Sequence, residues 1–487
     1  MQKIDFASRH ALYSVQATRT IEQAAQDALP AHTLMQRAGL AVAQLALALA
    51  PHARRIWIAC GPGNNGGDGL EAALHLQRWG KQPVVTWLGS ANQAPPDAAA
   101  SYQRALNAGV SLAQTPPNDF DFCIDALLGI GSQLREPTGR MADWIAQMNA
   151  GPAPVLAVDL PTGLHADTGA LTQLSVRATH SLSLLTLKPG LFTAQGRDAA
   201  GSVWLADLDI TQDPSTSQAA MEPTAWLAGA PPTALRLHAS HKGSYGDVAV
   251  IGGAAGMSGA ALLAASSALH AGAGRVFVGL LDGGSLSVDV SQPELMLRPV
   301  AELDLSTMTV VCGCGGGDAV RTQIPKVLST PAPVVIDADA INAIAGDRAL
   351  QTLLRARSQR GAGTVLTPHP LEAARLLGSH VAHIQADRLG ACVQLAERFA
   401  CTVVLKGSGS VIAAPGQTPV INPTGNARLA TAGTGDVLAG LIGARLAAGL
   451  DAFDAAWQAV YQHGLAADQW PQALPLTAGQ LARSLYY

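Results

Sequence analysis

Two glycine-rich stretches carry the side chains of this sequence that are best suited to chemistry. The first, GPGNNGGDG, spans residues 61–69 and contains two asparagines and Asp68. The second, TAGTGDVLAG, spans residues 431–440 and contains Asp436. Glycines let a ligand approach the backbone closely, and an aspartate can accept or donate a proton. We therefore expect one ligand site at each stretch.

The first stretch meets the G-x-G-x-x-G spacing with Gly61, Gly63 and Gly66, directly after the apolar run IWIAC. The dinucleotide-binding fingerprint also needs an acidic residue about 20 residues later, which binds the ribose. No Asp or Glu lies between Glu71 and Asp97. An acid inside the loop would also repel a pyrophosphate at the helix start. The sequence therefore argues against an ordinary dehydrogenase loop.

Two more aspartates end apolar runs in the same half of the chain. Asp125 ends FDFCID, and Asp159 ends VLAVD, which leads into LPTG with Thr162. Ligands bind at the carboxyl ends of strands in open α/β sheets, so these side chains should meet those of residues 61–69. Amide, carboxylate and hydroxyl oxygens are hard ligands suited to K+ or Mg2+. Each aspartate alone could cap a turn, but together they predict a site.

The second half also places polar groups after apolar runs. KGSGS, residues 406–410, follows TVVL, and His369 follows TVL. Backbone N–H groups at a helix start near Asp436 would form an anion hole. Asp436 could then take a proton from a hydroxyl while a phosphoryl group is transferred, although it could also be a simple helix cap. No Walker A motif is present, because Gly80-Lys81 is followed by Gln.

These stretches need a scaffold of alternating strands and helices, and the sequence contains two such series. Apolar residues between 18 and 50 recur at three- and four-residue spacing, which is typical of helices. Short apolar runs then alternate with helical ones, which predicts a mostly parallel sheet covered on both faces. A second series follows a Pro-, Ser- and Thr-rich linker at 211–233. We therefore expect two α/β domains, 1–215 and 216–487.

The composition argues against several classes of function. Only 14% of the 487 residues are charged, the net charge is −4 and there is no basic block, so no nucleic-acid partner is expected. The six cysteines form no C-x-x-C pair and indicate buried thiols in a reducing cytosol. No apolar signal segment begins the chain, and no apolar run is long enough for a membrane span. We expect a cytoplasmic protein without a membrane partner.

The N-terminal motifs resemble the NAD(P)H-hydrate epimerase domain. The matching runs are GPGNNGGDG, IDALLGIG and VDLPTG, after an RTIEQAA…LMQRAG segment. The resemblance implies a Rossmann-like three-layer α/β sandwich that interconverts the R and S epimers of NADHX and NADPHX, which are NADH and NADPH hydrated at C6 of the nicotinamide ring. It also implies K+ ligated by Asn65, Asp125 and Thr162, where Thr162 stands in place of the usual Ser.

The resemblance further implies an epimerase substrate site built from two stretches and one strand end. An aspartate is suited to acid–base catalysis of epimerisation, and Asp159 is the first candidate for that role, with Asp68 as the alternative. The implied site comprises Asn64, Asn65, Gly66, Gly67, Asp68, Gly129, Ile130, Gly131, Ser132, Gln133, Leu134, Arg135 and Asp159.

The second half resembles the ribokinase-like superfamily, and within it the ADP- or ATP-dependent NAD(P)H-hydrate dehydratase. The runs VIDADAIN, TPHPLEAARLL, VVLKGSGSVI and NARLATAGTGDVLAG carry this resemblance, whereas GCGGG at 313–317 departs from the usual G-P-G-L-G. The resemblance implies that Mg2+ and ADP support dehydration of S-NAD(P)HX to NAD(P)H, with AMP and phosphate as by-products. The sequence leaves the choice between ADP and ATP open.

By this second resemblance, the catalytic residue is Asp436, and family analogy implies a homo-oligomer. Two other functions stay open: a small-molecule kinase with a stable phosphorylated product, and a non-catalytic nucleotide- or cation-binding protein. The implied hydrate contacts are Ala260, Gly315, His369 and Asp436, and the implied nucleotide contacts are Lys406, Gly407, Ser408, Gly409, Ser410 and Gly435.

Overall fold

The computed structural model describes residues 1–130, 135–210, 221–232 and 236–485. The chain divides into two compact units, which we call the N-terminal unit and the C-terminal unit. The first comprises Met1–Asp5 and His10–Ala225, and the second comprises Phe6–Arg9 and Trp226–Tyr487.

The boundary predicted near residue 215 falls in 211–220, outside the described residues. Within the segment predicted as a linker, Ala225–Leu227 forms a short strand, whose apolar sequence AWL suits strand conformation.

The N-terminal unit contains the strands and helices predicted from its alternating runs. Its strands are β1 Gln2–Lys3, β2 His10–Leu12, β3 Arg55–Cys60, β4 Gln82–Trp87, β5 Ser111–Ala113, β6 Phe122–Ala126, β7 Val155–Val158, β8 His180–Leu184 and β9 Ser202–Ala206. Its helices are α1 Val15–Ala28, α2 Thr33–Leu49, α3 Asn64–Arg78, α4 Pro96–Asn107, α5 Arg140–Ala150 and α6 Gly196–Ala199.

One sheet of the N-terminal unit has the order β1-β9-β8-β7-β6-β3-β4-β5. Its strands pair in parallel, except β1 with β9. The chain moves outward from β3 through β4 to β5, and then returns to the other side of β3 as β6. The strand order therefore reverses between β3 and β6, and the crevice at such a switch point is where doubly wound sheets bind ligands.

Both faces of this sheet are buried, as predicted. Ile56 and Ile58 of β3 pack in one hydrophobic cluster with residues of α2 and α3. Trp57 and Ala59, on the opposite face, pack in another cluster with residues of α5. Because successive side chains of a strand point to opposite faces, this division places helices on both sides and gives the three-layer α/β arrangement.

The C-terminal unit holds the second alternating series. Its strands are β10 Ala225–Leu227, β11 Asp247–Ala254, β12 Arg275–Leu281, β13 Met296–Leu297, β14 Thr309–Cys312, β15 Val334–Ile336, β16 Thr364–Leu366, β17 Thr402–Leu405, β18 Val411–Ala413 and β19 Val420–Ile421. Its helices are α7 Ser258–His270, α8 Ile324–Ser329, α9 Ala338–Ala345, α10 Arg348–Gln359, α11 Pro370–Leu377, α12 Val381–Ala386, α13 Arg388–Phe399, α14 Thr434–Ala447, α15 Ala452–Asp468 and α16 Ala478–Arg483.

The strands of the C-terminal unit run in the order β13-β12-β11-β14-β15-β16-β17-β18-β19-β10. Pairing is parallel from β13 to β17, and β18 is antiparallel to both of its neighbours. The order reverses between β11 and β14, so the glycine-rich segment after β14 lies at the switch point. The predicted α/β class is therefore confirmed for both units.

The six cysteines are buried free thiols, as the sequence indicated. Among the described residues, no helix combines the length and the apolar character that crossing a bilayer requires.

Candidate active sites

A cavity of about 610 Å³ opens in the N-terminal unit. Residues following β3, β6, β7 and β8 line it, including Gly63, Leu127, Pro161 and Leu185. The cavity thus lies at the carboxyl ends of the central strands, beside the switch point. Its volume is within the usual range for small-molecule sites.

The GPGNNGGDG stretch is mostly helix rather than loop, because α3 begins at Asn64. The helix can start so close to β3 because two of the glycines pack against backbone. A Cβ on Gly66 would lie 2.0 Å from the carbonyl oxygen of Gly61, and a Cβ on Gly61 would lie 1.7 Å from that of Leu127. The glycines therefore hold the first turn of α3 against the strand ends.

Most of the residues predicted for this site do meet at the cavity. Gly66 and Gly67 do not line it, because they pack against neighbouring backbone and side chains instead. Gly131, Ser132, Gln133 and Leu134 lie outside the described residues. The predicted residues that line the cavity are Asn64, Asn65, Asp68, Gly129, Ile130, Arg135 and Asp159.

Asp159 follows β7 in a left-handed conformation, with φ of 66°. This conformation is unfavourable for a residue with a Cβ, so its contacts must hold it. Its Oδ1 accepts hydrogen bonds from the Lys188 ammonium and from the Leu184 amide at 3.2 Å, and its Oδ2 accepts one from the Ile130 amide at 3.3 Å. The carboxylate is thereby aimed into the cavity as a paired charge.

Lys188 is a residue of this site that the sequence prediction missed. Its side chain is only 1% exposed, and its Nζ also donates to the carbonyl oxygen of Leu184 at 2.8 Å. A buried lysine is rare unless paired, and pairing with Asp159 satisfies that condition. The sequence offered only a single lysine in the otherwise apolar run HSLSLLTLKPG, four residues after β8 ends, and that pattern is too weak to mark a site by itself.

Asp68 contributes a second carboxyl group to the cavity. Burial, followed by repulsion from Asp159, raises the pKa of Asp68 well above its usual range. Glu22 of α1 also lines the cavity, and burial raises its pKa. The cavity therefore combines a carboxylate held by a cation with a carboxyl group that favours its protonated form.

Two of the three residues predicted as metal ligands, Asp125 and Thr162, are hydrogen-bonded to each other. Asp125 and Thr162 are fully buried. The Thr162 hydroxyl donates to Asp125 Oδ1 at 2.8 Å, the Thr162 amide donates to Asp125 Oδ2 at 2.8 Å, and the Thr162 Oγ1 accepts from the Leu128 amide at 3.0 Å. These bonds join the ends of β6 and β7 through one carboxylate.

Asn65, in the first turn of α3, approaches the segment that follows β6, since a Cβ on Gly129 would lie 3.0 Å from Asn65 Oδ1. It is 9% exposed, and its Nδ2 is buried with no hydrogen-bond partner in the part of the chain that the structure describes. Carboxylate, hydroxyl and amide oxygens suit a hard cation. The residues present therefore fit a monovalent cation, whose charge would match the single carboxylate.

The second candidate site lies at the carboxyl ends of strands in the C-terminal unit. Asp337 follows β15 and is 1% exposed, and it accepts hydrogen bonds from Lys406 Nζ at 2.7 Å and from the Thr367 hydroxyl at 2.6 Å. Burial opposes the charge on Lys406, but Asp337 and Glu372 outweigh it and raise the pKa of Lys406. A fixed positive charge therefore stands at the end of β17.

Asp436 lies in the first turn of α14, which begins at Thr434 after Gly433 with φ of 91°. The Cys314 Sγ and one carboxylate oxygen each from Asp337 and Asp436 all lie within 4.8 Å of one another. Burial, followed by repulsion from Asp337, raises the pKa of Asp436 to about 6. Near neutral pH, this carboxyl group can therefore both accept and release a proton.

The remaining predicted residues fall at the same edge of the sheet. Ala260 and Gly315 are in contact, since a Cβ on Gly315 would lie 2.8 Å from the Cβ of Ala260. His369 caps α11, and its Nδ1 accepts from the Leu371 amide at 3.1 Å. Burial lowers the pKa of His369. Glu372 accepts a hydrogen bond from the His369 amide, and burial raises the pKa of Glu372 to about 7.

The predicted nucleotide-binding residues, 406–410 and Gly435, form a turn and a helix start. Gly407 has φ of 142°, a conformation that requires glycine, and its carbonyl oxygen accepts from the Ser410 hydroxyl at 3.1 Å. A Cβ on Gly435 would lie 3.4 Å from Lys406 Nζ. The lysine thus stands beside the N-terminus of α14, where an anion is favoured.

Two family models match this chain. One, described as NAD(P)H-hydrate dehydratase, matches residues 248–485. The other, described as YjeF-related protein N-terminus, matches residues 31–190.

The similar proteins include full-length and half-length relatives. The bifunctional NAD(P)H-hydrate repair enzyme of Escherichia coli (strain K12) is 35% identical, over 100% of this chain and 94% of that protein. The ADP-dependent (S)-NAD(P)H-hydrate dehydratase of Neisseria meningitidis serogroup B is 44% identical, over 51% of this chain and 84% of that protein. A solved ADP/ATP-dependent NAD(P)H-hydrate dehydratase from Bacillus subtilis is 31% identical, with a TM-score of 0.45, over 52% of this chain and 91% of that one.

Proposed function

This chain belongs to the family of bifunctional NAD(P)H-hydrate repair enzymes, and we propose that its two domains divide the two reactions of repair. The domain at 1–215 epimerises R- and S-NAD(P)HX, and the domain at 216–487 dehydrates the S epimer to NAD(P)H. One observation carries this assignment: each unit places an aspartate, the buried Asp159 or the half-buried Asp436, among polar groups at the carboxyl ends of its strands.

Epimerisation at C6 requires a proton acceptor and a proton donor. We assign Asp159 as the base that takes the C6 hydroxyl proton, because Lys188 stabilises its charge. The carbonyl then forms as the bond between C6 and the ring nitrogen breaks, and Asp68 protonates that nitrogen. Ring closure on the opposite face of the carbonyl reverses these transfers and inverts C6. A carboxylate paired with a lysine and a carboxyl group that favours its protonated form suit this division.

We assign Asn65, Asp125 and Thr162 as the residues that would hold K+ in the epimerase domain. Their oxygens and the unpartnered Asn65 Nδ2 support the assignment, since an unengaged amide is free to turn its oxygen toward a cation. The cation would offset the buried charge of Asp125 and fix the strand ends that shape the cavity.

Dehydration requires a better leaving group than hydroxide. Asp436 accepts the C6 hydroxyl proton as the hydroxyl oxygen attacks the terminal phosphoryl group of ADP. The bond between that phosphorus and the bridging oxygen breaks, and AMP is the leaving group. The ring nitrogen lone pair then expels phosphate from C6, and loss of a C5 proton to that phosphate restores the double bond. The amides at the N-terminus of α14 and the Lys406 ammonium stabilise the charge on the transferred group.

We assign the turn of 406–410 and Gly435 as the nucleotide-binding residues. The relative from Neisseria meningitidis is an ADP-dependent dehydratase, which supports ADP as the phosphoryl donor. Mg2+ would neutralise the nucleotide phosphates and enter with them, as is usual for this ion. We assign it no protein ligand, because the Lys406 ammonium already pairs with Asp337.

The repair assay tests both halves of this proposal. Mixed R and S hydrates are incubated with ADP, Mg2+ and K+, and NAD(P)H is followed by absorbance. Wild-type protein should convert the whole mixture, Asp159→Asn should stop at the S fraction, and Asp436→Asn should stop dehydration but not epimerisation. A stable phosphorylated product would instead show a kinase, and no conversion with ADP or ATP would refute the proposal.

We further propose that the protein acts in the cytoplasm as a homo-oligomer. The six buried free thiols fit a reducing compartment. Gel filtration with light scattering measures the oligomeric state, and a monomer at cellular concentrations would refute that part.

A further inference from the structure

Arg388 is a buried cation of the C-terminal unit that the two reactions leave unexplained. It is the first residue of α13, and its side chain is only 1% exposed. Its Nη1 donates to Gln385 Oε1 at 2.8 Å, and its Nε is buried with no hydrogen-bond partner in the described ranges. Among those residues, no carboxylate forms an ion pair with it. An arginine buried without an acidic partner is rare and costly, which points to a role for this charge.

The guanidinium of Arg388 lies directly behind the turn of 406–410. Its Nη2 donates to the carbonyl oxygens of Leu405 and Lys406, both at 3.2 Å. A Cβ on Gly407 would lie 2.8 Å from Nη1 and from Nη2, so the guanidinium occupies the space that a side chain at this position would need. Gly407 is itself exposed. A ligand can therefore reach the turn from outside while Arg388 holds it from within.

These contacts fix the orientation of the turn. In a trans peptide, the carbonyl oxygen and the N–H of the next residue point in opposite directions. Because the Lys406 oxygen points to Arg388, the Gly407 amide points away from it, and that amide donates to Ser410 Oγ at 3.3 Å. The guanidinium therefore sets where the amide and the hydroxyl lie before a nucleotide binds.

The positive charge of Arg388 is the second consequence of this placement. The Lys406 ammonium pairs with Asp337 at 2.7 Å, whereas the charge of Arg388 is left uncompensated by the described residues. Burial lowers the pKa of Arg388 to about 10, so the group stays charged near neutral pH. A positive charge in a buried setting attracts an anion more strongly than the same charge in water. The phosphate chain of a nucleotide on the turn would supply that anion.

We propose that Arg388 is a positioning residue for the nucleotide, whose guanidinium holds the Lys406 peptide in place and supplies an uncompensated positive charge to the nucleotide phosphates. This inference rests on the proposed nucleotide site at 406–410. It gives Arg388 no contact with the hydrate and no part in proton transfer. Removing the guanidinium should therefore weaken ADP binding much more than it slows the chemical step, because Lys406 Nζ keeps its bond to Asp337.

Arg357 provides a matched control in the same unit. It is fully buried, and burial lowers its pKa to about 10 as well. Its Nη1 and Nη2 donate to the carbonyl oxygens of Thr330 and Ala332, both at 2.7 Å. Its Nε donates at 2.8 Å to the hydroxyl of Thr364, the first residue of β16. Arg357 thus lies at the amino end of a parallel strand, at the edge of the sheet opposite to the candidate site.

The experiment measures ADP binding to the full chain by isothermal titration calorimetry, together with KM for ADP and kcat for dehydration. Arg388→Met should raise the Kd and the KM for ADP at least about tenfold and lower kcat less than about threefold. Arg388→Lys keeps the charge and loses the planar fork, so its ADP affinity should fall between those of the wild type and Arg388→Met. Arg357→Met also loses buried hydrogen bonds and should lower the melting temperature, but it should change the Kd less than about twofold.

Unchanged ADP affinity in Arg388→Met, equal weakening in Arg357→Met, or a loss confined to kcat overturns the proposal. If scanning calorimetry shows that Arg388→Met does not fold, Arg388→Lys decides, and wild-type affinity in that variant overturns the proposal as well. A wild-type protein that binds neither ADP nor ATP refutes the proposed nucleotide site instead. Epimerisation by the N-terminal unit serves in each case as the control for an intact chain.

Discussion

Thr162 offers a sharp test of the proposed K+ site, because its hydroxyl joins the ends of β6 and β7 through two hydrogen bonds. Its Oγ1 donates to Asp125 Oδ1 at 2.8 Å and accepts from the Leu128 amide at 3.0 Å. Thr162→Val keeps the shape of the side chain and removes both bonds. Asp125 Oδ1 then retains only the Leu127 amide at 3.2 Å, and the Leu128 amide loses its partner.

The expected loss of stability follows from these two bonds. Leaving the Leu128 amide without a partner costs about 1–3 kcal/mol, and losing one hydrogen bond to the Asp125 carboxylate costs about 1.5–3 kcal/mol more. Thr162→Val should therefore destabilise the N-terminal unit by roughly 2.5–6 kcal/mol. Thr162→Ser keeps the hydroxyl and deletes one methyl group, which costs about 1 kcal/mol. Scanning calorimetry of the full chain measures both effects.

The catalytic readout is epimerisation as a function of K+, with choline chloride keeping the ionic strength constant. We expect the K+ concentration for half-maximal rate to rise at least about tenfold in Thr162→Val, which corresponds to 1.4 kcal/mol, and to change little in Thr162→Ser. Dehydration by the C-terminal unit serves as an internal control. A Thr162→Val protein with unchanged stability and K+ response would refute our account of this site.

Three further predictions concern stability and epimerisation. Lys188→Met should abolish epimerisation and lower the free energy of unfolding by about 3–5 kcal/mol, because it leaves the buried Asp159 carboxylate unpaired. The control Lys81→Met loses hydrogen bonds to two backbone carbonyls and should preserve the epimerisation rate. Equal rates in the two variants would contradict the role of Lys188 beside Asp159. Gly66→Ala should lower the melting temperature, since its Cβ would lie 2.0 Å from a carbonyl oxygen, while Gly63→Ala, with open space around its Cβ, should not. Burial raises the pKa of Glu372 from 4.5 in the unfolded chain to about 7 in the folded protein. The stability that this group contributes is therefore complete below pH 4.5 and is lost as pH rises through about 7. Glu372→Gln should flatten the fall of the melting temperature between about pH 5 and 8, and an unaltered slope would argue against this effect.

Much of the fold could be predicted from local pattern. The alternating apolar runs predicted strands that the structure contains, such as Arg55–Cys60 and Phe122–Ala126, because a strand buried on both faces must be apolar throughout. The region predicted to be helical, 18–50, is covered by two helices, α1 Val15–Ala28 and α2 Thr33–Leu49. The start of α3 was missed, since glycines usually disfavour a helix, whereas here they allow its close approach to the sheet.

The candidate sites were predicted less completely. Asp159 and Asp436 were identified because each stands at the end of an apolar run or at a helix start. Lys188 was missed, because a single lysine in an apolar run carries no local signature. Cys314 was interpreted only as a buried thiol, since nothing in GCGGG shows that two carboxylates would surround it.

The sequence by itself determined the alternation that gives two α/β units, the family, and which side chains stand at strand ends. Only the tertiary structure decided which of them meet: Lys188 with Asp159, Thr162 with Asp125, and Cys314 between Asp337 and Asp436. It also decided which carboxyl groups favour a proton. The physical reason is that burial and neighbouring charge set a pKa, and both depend on residues brought together from distant parts of the chain.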